Sequence, residues 1–306
     1  MADPFLFVVG AGRSGTTLLT VLLDSHPEIA VPGESGGLIF RFCIGPDAWD
    51  PHGDPVDDPE SAASATTPAA LPYGRAEIAE LFASLSGEHR FQRWELDEKQ
   101  FTELMLARDV DTRTGVIRCC YELYARNQGK VRYADKTPDH VVYMRTLAAL
   151  FPEARFAHLI RDGRDVALAL RDTSWGAKTP DDAARYWQRR VSTGAAVGAE
   201  LGPSRYLELR YEALIADPEP ELRRLCEFAS IAYDPAMLNH DAAARRQLNM
   251  SPAAEEDSSL LRPITSGLRD WRQQMSRADV AAFEEIAGET LTRFGYATDS
   301  AQSVST

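Results

Sequence analysis

The segment Gly10-Ala-Gly-Arg-Ser-Gly-Thr-Thr17 places three glycines, one arginine and three hydroxyls in eight consecutive residues. A backbone that curls through glycines aims successive N–H groups at one point, and a helix starting there adds the positive end of its dipole. Such a turn holds an anion, most often a phosphate. Gly10 and Gly15 keep the spacing of the G-x-x-x-x-G-K-[ST] nucleotide loop, but Thr16 stands in the lysine position. That lysine reaches the β- and γ-phosphates, so its absence argues against ordinary ATP or GTP chemistry. Arg13 supplies positive charge from inside the loop instead.

The surrounding elements are the ones this turn needs. Phe5-Leu-Phe-Val-Val9 is a short continuous apolar run, the pattern of a strand buried on both faces. After the turn, Leu18, Leu19, Leu22 and Leu23 recur at helical spacing until Ser25-His26-Pro27 ends the element. Further strands are predicted over 29–31, 131–134, 154–160 and 205–209. Helices are predicted through most of 77–128, after the cap-like pair Thr137-Pro138 up to Leu150, and over 163–170, 219–229 and 276–294, the last closed by Gly295. Strands alternating with helices give an α/β fold: one three-layer domain, 1–296, with a central, mostly parallel sheet flanked by helices. The Pro-, Asp- and Ala-rich stretch near 47–75 is an insertion of the kind that forms lids or substrate loops, and 297–306 is a polar tail expected to fray.

Composition narrows the function. The 33 Lys+Arg against 46 Asp+Glu leave a net charge of −13, which repels nucleic acid and anionic lipid, so any small anion must be met by a local concentration of positive groups. The four cysteines, Cys43, Cys119, Cys120 and Cys226, form no C-x-x-C pair, and no histidine stands at zinc spacing; they read as buried apolar residues of a reducing compartment, with no metal site. No apolar run approaches the ~20 residues of a membrane span and the N-terminus lacks a basic, then apolar, leader, so the expected location is cytoplasmic, without membrane insertion.

Arg13-Ser-Gly-Thr-Thr-Leu-Leu19 followed by Leu23-Asp-Ser-His-Pro27 resembles the donor-binding loop of sulfotransferases that use 3′-phosphoadenosine 5′-phosphosulfate (PAPS). With arginine where other branches carry lysine, it is similar to the bacterial branch and to the tyrosylprotein sulfotransferases. The resemblance implies a P-loop-type fold, with Arg13, Ser14, Gly15, Thr16 and Thr17 on the 5′-phosphosulfate. Ile160-Arg-Asp-Gly-Arg-Asp-Val166 resembles the second motif, in which Arg161 would grip the 3′-phosphate; the serine usual eight positions later is here Ala169, leaving Arg171, Thr173 or Ser174 as possible substitutes. Arg210-Tyr-Glu-Ala-Leu214 resembles a later segment that lays Tyr211 beside the nucleotide, and Arg262-Pro, upstream of Leu268-Arg-Asp-Trp271, resembles the basic loop that closes over it.

The same resemblance implies the chemistry. Glu34, just past the second strand and beside the first strand's loop, matches the glutamate that takes the acceptor proton; His26 is the runner-up, more easily read as helix-ending punctuation. Lys136, in Ala134-Asp-Lys-Thr-Pro138, matches the lysine that stabilises the leaving oxygen, whereas Arg164 and Asp165 are expected to pair with neighbours. The implied reaction is in-line transfer of a sulfuryl group from PAPS to a hydroxyl, with no metal. The alternatives are a P-loop kinase or phosphotransferase acting on a small metabolite, and a non-catalytic nucleotide-binding protein, for which Ala169 is the only support. The acceptor, whether small molecule, glycan or peptide, has no recognisable code, and neither has the oligomeric state.

Overall fold

The computed structural model describes residues 3–45, 47–49, 60, 74–250 and 269–298. Five strands, β1 (Phe5–Gly10), β2 (Ile29–Ala30), β3 (Arg132–Lys136), β4 (Ala154–Ile160) and β5 (Tyr206–Arg210), form one sheet in the order β2-β3-β1-β4-β5, every pairing parallel. Successive side chains of a strand point to opposite faces. In β1, Phe5, Phe7 and Val9 therefore enter one core while Leu6 and Val8 enter another on the far side of the sheet. Each large apolar side chain buried this way contributes roughly 1.5–3 kcal/mol, which is why a continuous apolar run suits this position and no edge strand.

Helices cover both faces. In chain order they are α1 (Thr16–Asp24), α2 (Leu38–Cys43), α3 (Arg75–Ser86), α4 (His89–Gln92), α5 (Glu98–Ala107), α6 (Arg113–Asn127), α7 (Met144–Leu150), α8 (Gly163–Arg171), α9 (Pro180–Leu201), α10 (Tyr211–Ala216), α11 (Pro218–Phe228), α12 (Asp241–Met250), α13 (Trp271–Gln274) and α14 (Arg277–Arg293). The predicted helical stretch 77–128 is four separate helices, α3 to α6, which cover the sheet face that carries Phe5 and Phe7. The long α9, absent from the sequence expectation, packs Trp187 and Val191 with Phe283 and Leu291 of α14. Ser276 caps α14 by accepting from Asp279 N at 3.1 Å, and Gly295 follows it at φ 74°. All four cysteines are free and buried; burial pushes the Cys43 and Cys119 thiols up to about 12, so they pack as apolar groups.

Two expectations need correction. β2 does not adjoin β1: the helices α2 to α6 form a long crossover that returns the chain as β3 between them. The chain leaving β2 thus meets the end of β3, and Glu34 is joined to the loop after β1 through Lys136. Second, Thr137 does not cap a helix with its side chain; Pro138–Tyr143 is a 3-10 turn leading into α7. The Thr137 hydroxyl is used elsewhere, accepting from Gly36 N at 3.3 Å and lying 3.2 Å from Ser35 Oγ. The insertion near 47–75 lies outside the described residues apart from 47–49, 60 and 74–75, and so does the tail from 299; Thr298, expected to fray, is buried.

Candidate active site

Among the described residues, the predicted functional ones gather at the carboxyl ends of the strands, where an open parallel sheet leaves a crevice. β1 ends at Gly10, and the chain turns through Ala11 to Gly15 before α1. The turn is closed by Ser14 N donating to Ala11 O at 3.1 Å. It passes through the left-handed region at Arg13 (φ 70°) and at Gly15 (φ 92°). Arginine there is locally strained, the kind of backbone cost found at ligand sites. Gly15 is required twice over, since a Cβ at this position would also lie 2.4 Å from the Tyr211 ring.

The turn has the features of an anion cradle. The residue before α1 is Gly15, which has no side chain to cap the helix, and the first amides of α1 have no intrahelical partner. Ser14 Oγ and Arg161 Nε are both buried without a hydrogen-bond partner among the described residues. Native structures rarely leave such donors unsatisfied, and both belong to motifs expected to meet phosphate. The residues present fit a phosphorylated nucleotide on this observation.

The second and third motifs are joined to the first. Arg161, at the exit of β4, sends Nη1 to Arg13 O at 3.4 Å and stacks its guanidinium 4.4 Å from the centre of the Tyr211 ring. Glu212, next to Tyr211, accepts from Asp162 N at 2.9 Å and so ties the exit of β5 to that of β4. Trp187 Nε1 of α9 donates to Arg161 O at 3.0 Å. Tyr211 therefore lies between Gly15 and Arg161 and fixes the spacing of two candidate phosphate sites.

Ala169 is buried on α8. Of the proposed substitutes for the missing serine, Thr173 is committed within its own turn, donating to Leu170 O at 2.8 Å and accepting from Gly176 N at 2.9 Å. Arg171 is exposed and pairs with Asp172 at 3.8 Å, and Ser174 is exposed. Arg262 lies outside the described residues.

Glu34 and Lys136 meet. Lys136 Nζ, buried at the end of β3, donates to Glu34 Oε1 at 2.7 Å and to Thr17 Oγ1 at 3.4 Å. The other carboxylate oxygen of Glu34 accepts from Arg90 Nη1 at 2.6 Å. Burial works against ionisation of this carboxyl, but Lys136 and Arg90 outweigh it and hold its pKa below the usual carboxylate range. Behind Glu34, Asp135 Oδ2 accepts from Ser35 Oγ and from Tyr121 Oη, each at 2.7 Å, while His140 Nδ1 lies 2.8 Å from Asp135 Oδ1. His140 Nε2 faces Gly36 O, an obligate acceptor, at 3.1 Å. The loop 34–36 is thus fixed from below by a buried carboxylate.

Other sequence candidates have structural work. His26 Nε2 faces Ala232 O at 2.8 Å and its Nδ1 accepts from Glu28 N at 3.1 Å, which closes the end of α1. Arg164 is fully buried between Asp162 (2.8 Å) and Glu284 (2.7 Å), with the Trp271 ring 3.6 Å from its guanidinium carbon. Asp165 accepts from Trp271 N at 2.9 Å. Arg90 and Tyr186 are the site residues that sequence reasoning missed; neither belongs to a motif, and each comes from a helix remote in sequence from the group it touches. Among the described residues there is no group of three or more His, Cys, Asp or Glu placed to hold a metal ion, and no helix long and apolar enough to cross a membrane.

Comparison with known proteins bears on the family and the fold. The model of the "Sulfotransferase family" matches residues 4–235. Protein-tyrosine sulfotransferase A of Caenorhabditis elegans is 22% identical over 303 residues, which span 96% of this chain and 67% of that protein. The sulfotransferase domain of the olefin synthase of Synechococcus PCC 7002 superposes with a TM-score of 0.54 at 21% identity, covering 93% of this chain and 94% of the domain. The sulfotransferase domain of the curacin biosynthetic pathway gives a TM-score of 0.54 at 18% identity, with 97% and 99% covered.

Proposed function

The chain belongs to the sulfotransferase family, and from that premise we infer that it moves a sulfuryl group from PAPS to a hydroxyl by direct in-line displacement, with Glu34 as general base. The observation that carries this reading is one buried ammonium, Lys136 Nζ, touching both the Glu34 carboxylate at 2.7 Å and Thr17 of the glycine turn at 3.4 Å. A base, a cation and an anion cradle within reach of one another are what this transfer needs.

In the proposed reaction Arg13, Ser14, Gly15, Thr16 and Thr17 hold the 5′-phosphosulfate, and Arg161 with Tyr211 holds the 3′-phosphate end. Arg262 closes over the nucleotide. The acceptor oxygen attacks sulfur on the side facing Glu34. The new O–S bond forms as the bond from sulfur to the bridging phosphate oxygen breaks, and that electron pair stays on the bridging oxygen. The acceptor proton passes to Glu34, while Lys136 neutralises the charge arriving on the leaving oxygen. The products are the sulfated acceptor and adenosine 3′,5′-bisphosphate. Because the leaving phosphate is already a stable anion, the step calls for no metal. The enzyme works in the cytoplasm as one domain spanning 1–296, on a small-molecule, glycan or peptide hydroxyl.

Incubation with ³⁵S-labelled PAPS and a panel of phenols, sugars, peptides and aliphatic alcohols tests this. Label should reach an acceptor, and Glu34→Ala and Arg13→Ala should each lower kcat/KM by roughly 10²-fold or more. Transfer that persists unchanged in both variants removes the assigned roles, and consumption of ATP in place of PAPS removes the donor.

A further inference from the structure

Tyr186, on α9, is placed over the glycine turn. Its phenolic oxygen accepts from Gly12 N at 3.1 Å, a contact between residues 174 apart in sequence. The approach is close enough to require glycine, since a Cβ at Gly12 would lie 2.7 Å from Tyr186 Oη and 3.1 Å from the Trp175 ring. The ring is held from its other side. Arg190, one turn along α9, stacks its guanidinium carbon 3.6 Å from the centre of the ring. Arg190 is itself fixed by two bonds, from Nε at 2.9 Å and Nη2 at 2.7 Å, to Asp139 Oδ1, just past the Lys136 strand. Asp139, Arg190, Tyr186 and Gly12 thus form a rigid arc from the end of β3 to the phosphate turn.

The arc fixes the tyrosine but leaves one capacity unused. A phenol can accept and donate. The accepting function is taken by Gly12, and no acceptor for the phenolic proton lies within hydrogen-bond reach among the described residues. Burial, with Asp139 and Glu34 adding to it, pushes the phenol well above its ordinary pKa, so the proton stays in place at any working pH. Tyr186 Oη sits on Gly12, and Lys136 ties the Glu34 carboxylate to Thr17, so the hydroxyl and the carboxylate are both held to the one glycine turn and border the space over it. In the reading given above, sulfur must lie in that space, between the turn that holds its phosphate and the carboxylate that deprotonates its attacker.

We propose that Tyr186 is a further catalytic residue, whose O–H donates a hydrogen bond to an oxygen of the transferring sulfuryl group. The proposal rests on the PAPS reading. Negative charge spreads over the sulfuryl oxygens as the group moves, and a prealigned donor in a site with little water favours that state without reorganising. A neutral donor suits the position because it stabilises the sulfuryl oxygens without competing with Lys136 for the leaving oxygen. Trp175, 51% exposed, lies beside Gly12 with the hydroxyl, since a Cβ there would meet both.

The test compares two nucleotides that differ only in the sulfuryl group. Calorimetry measures the binding of PAPS and of adenosine 3′,5′-bisphosphate to the full chain and to Tyr186→Phe, which keeps the ring under Arg190. The variant should bind PAPS about fivefold or more weakly, while the bisphosphate stays within about twofold and the Tm is preserved. Equal weakening of both nucleotides would reduce Tyr186 to a support for the turn and overturn the proposal, as would no change in either. If the unsubstituted chain binds neither nucleotide, the PAPS reading itself fails, and that result is distinct from a parallel loss. Should Tyr186→Phe fold poorly, Tyr186→3-fluorotyrosine keeps ring and hydroxyl while strengthening the donor. It should tighten PAPS relative to the bisphosphate, and an unchanged ratio overturns the proposal.

Discussion

Lys136 Nζ stands 2.7 Å from Glu34 Oε1 and 3.4 Å from Thr17 Oγ1, so a single ammonium bridges the candidate base and the phosphate turn. Its position follows from topology: β3 enters the sheet between β2 and β1, and Lys136 is its last residue. In the proposed reaction the base and the leaving-group cation are therefore coupled: ionised Glu34 would hold Lys136, and on taking the acceptor proton it would release the ammonium toward the bridging oxygen as charge accumulates there. Lys136→Ala should then lower kcat by about 10²–10³-fold and change the binding of adenosine 3′,5′-bisphosphate far less. Equal losses in kcat and in nucleotide affinity would make Lys136 a binding group only.

Arg90 governs the same carboxylate from outside. Its Nη1 lies 2.6 Å from Glu34 Oε2, and with Lys136 it overcomes the effect of burial and keeps the carboxyl below its usual range. If Glu34 is the general base proposed above, it must be ionised to act, so the acid limb of kcat/KM should fall below the ordinary glutamate value of about 4.3. Arg90→Ala removes one of the two stabilising charges, raises the Glu34 pKa and moves that limb to higher pH; Arg90→Lys should restore part of the shift. A profile that does not move would show that Arg90 and Glu34 do not pair in the working enzyme.

The parts legible in the sequence were those whose physics is local. The β1 strand, the glycine turn and α1 are contiguous, and so are β4 and the Arg161 motif, and each carries its apolar run and its glycine within a few residues. Glu34 and Lys136 were legible only as members of a resembling motif, and their 2.7 Å contact depends on a strand order that a two-residue β2 gives no periodicity to predict. Arg90 and Tyr186 were not legible. They reach their partners across 56 and 174 residues from helices that carry no motif of their own. Thr137 misled because Thr-Pro is a good capping pair, yet tertiary contact with Ser35 and Gly36 claimed its hydroxyl.

Ala169 is the one departure within the second motif, and it makes a directional prediction. It lies buried on α8, eight residues after Arg161, and Thr173 cannot stand in for the missing hydroxyl because both of its hydrogen-bonding functions are used locally. If Arg161 grips the 3′-phosphate, Ala169→Ser adds a hydroxyl to that site and should tighten adenosine 3′,5′-bisphosphate roughly five- to tenfold, the effect of one hydrogen bond to a charged group. Adenosine 5′-phosphate, which lacks the 3′ group, should bind no better. Improvement for both nucleotides, or for neither, would remove the 3′-phosphate from this place.

Asp135 carries the loop that presents Glu34. It is fully buried, with two hydroxyls on one oxygen and His140 at the other. Burial opposes its ionisation, but His140 together with the Ser35 and Tyr121 hydrogen bonds lowers its pKa. A carboxylate with a depressed pKa adds stability that is present above its unfolded value, about 3.9, and is lost as pH falls through the folded value. Asp135→Asn replaces the ionised acceptor of the Ser35 and Tyr121 hydroxyls by a neutral amide and should cost about 1.5–3 kcal/mol, the range for a hydrogen bond to a charged group. Chemical denaturation at neutral pH measures this. A loss below about 1 kcal/mol would mean that Asp135 is not ionised in the folded protein.

Asp165 shows the opposite sign. Burial raises its carboxyl to about 6, against the pull of Arg161 and the hydrogen bond from Trp271 N. The folded state therefore binds the proton more tightly than the unfolded chain, whose aspartates titrate near 3.9. The stabilisation is complete below the unfolded value and is lost as pH rises through about 6. Asp165→Asn keeps an oxygen to accept from Trp271 N but cannot ionise, so the Tm of the variant should gain on that of the parent as pH rises from about 4 to 7. Trp271 makes the consequence wider than stability, because its indole also donates to Asp162 at 3.1 Å and lies against Arg164. Fluorescence of this tryptophan in the parent, but not in the variant, should titrate near pH 6; a signal that titrates equally in both would place the proton on another group.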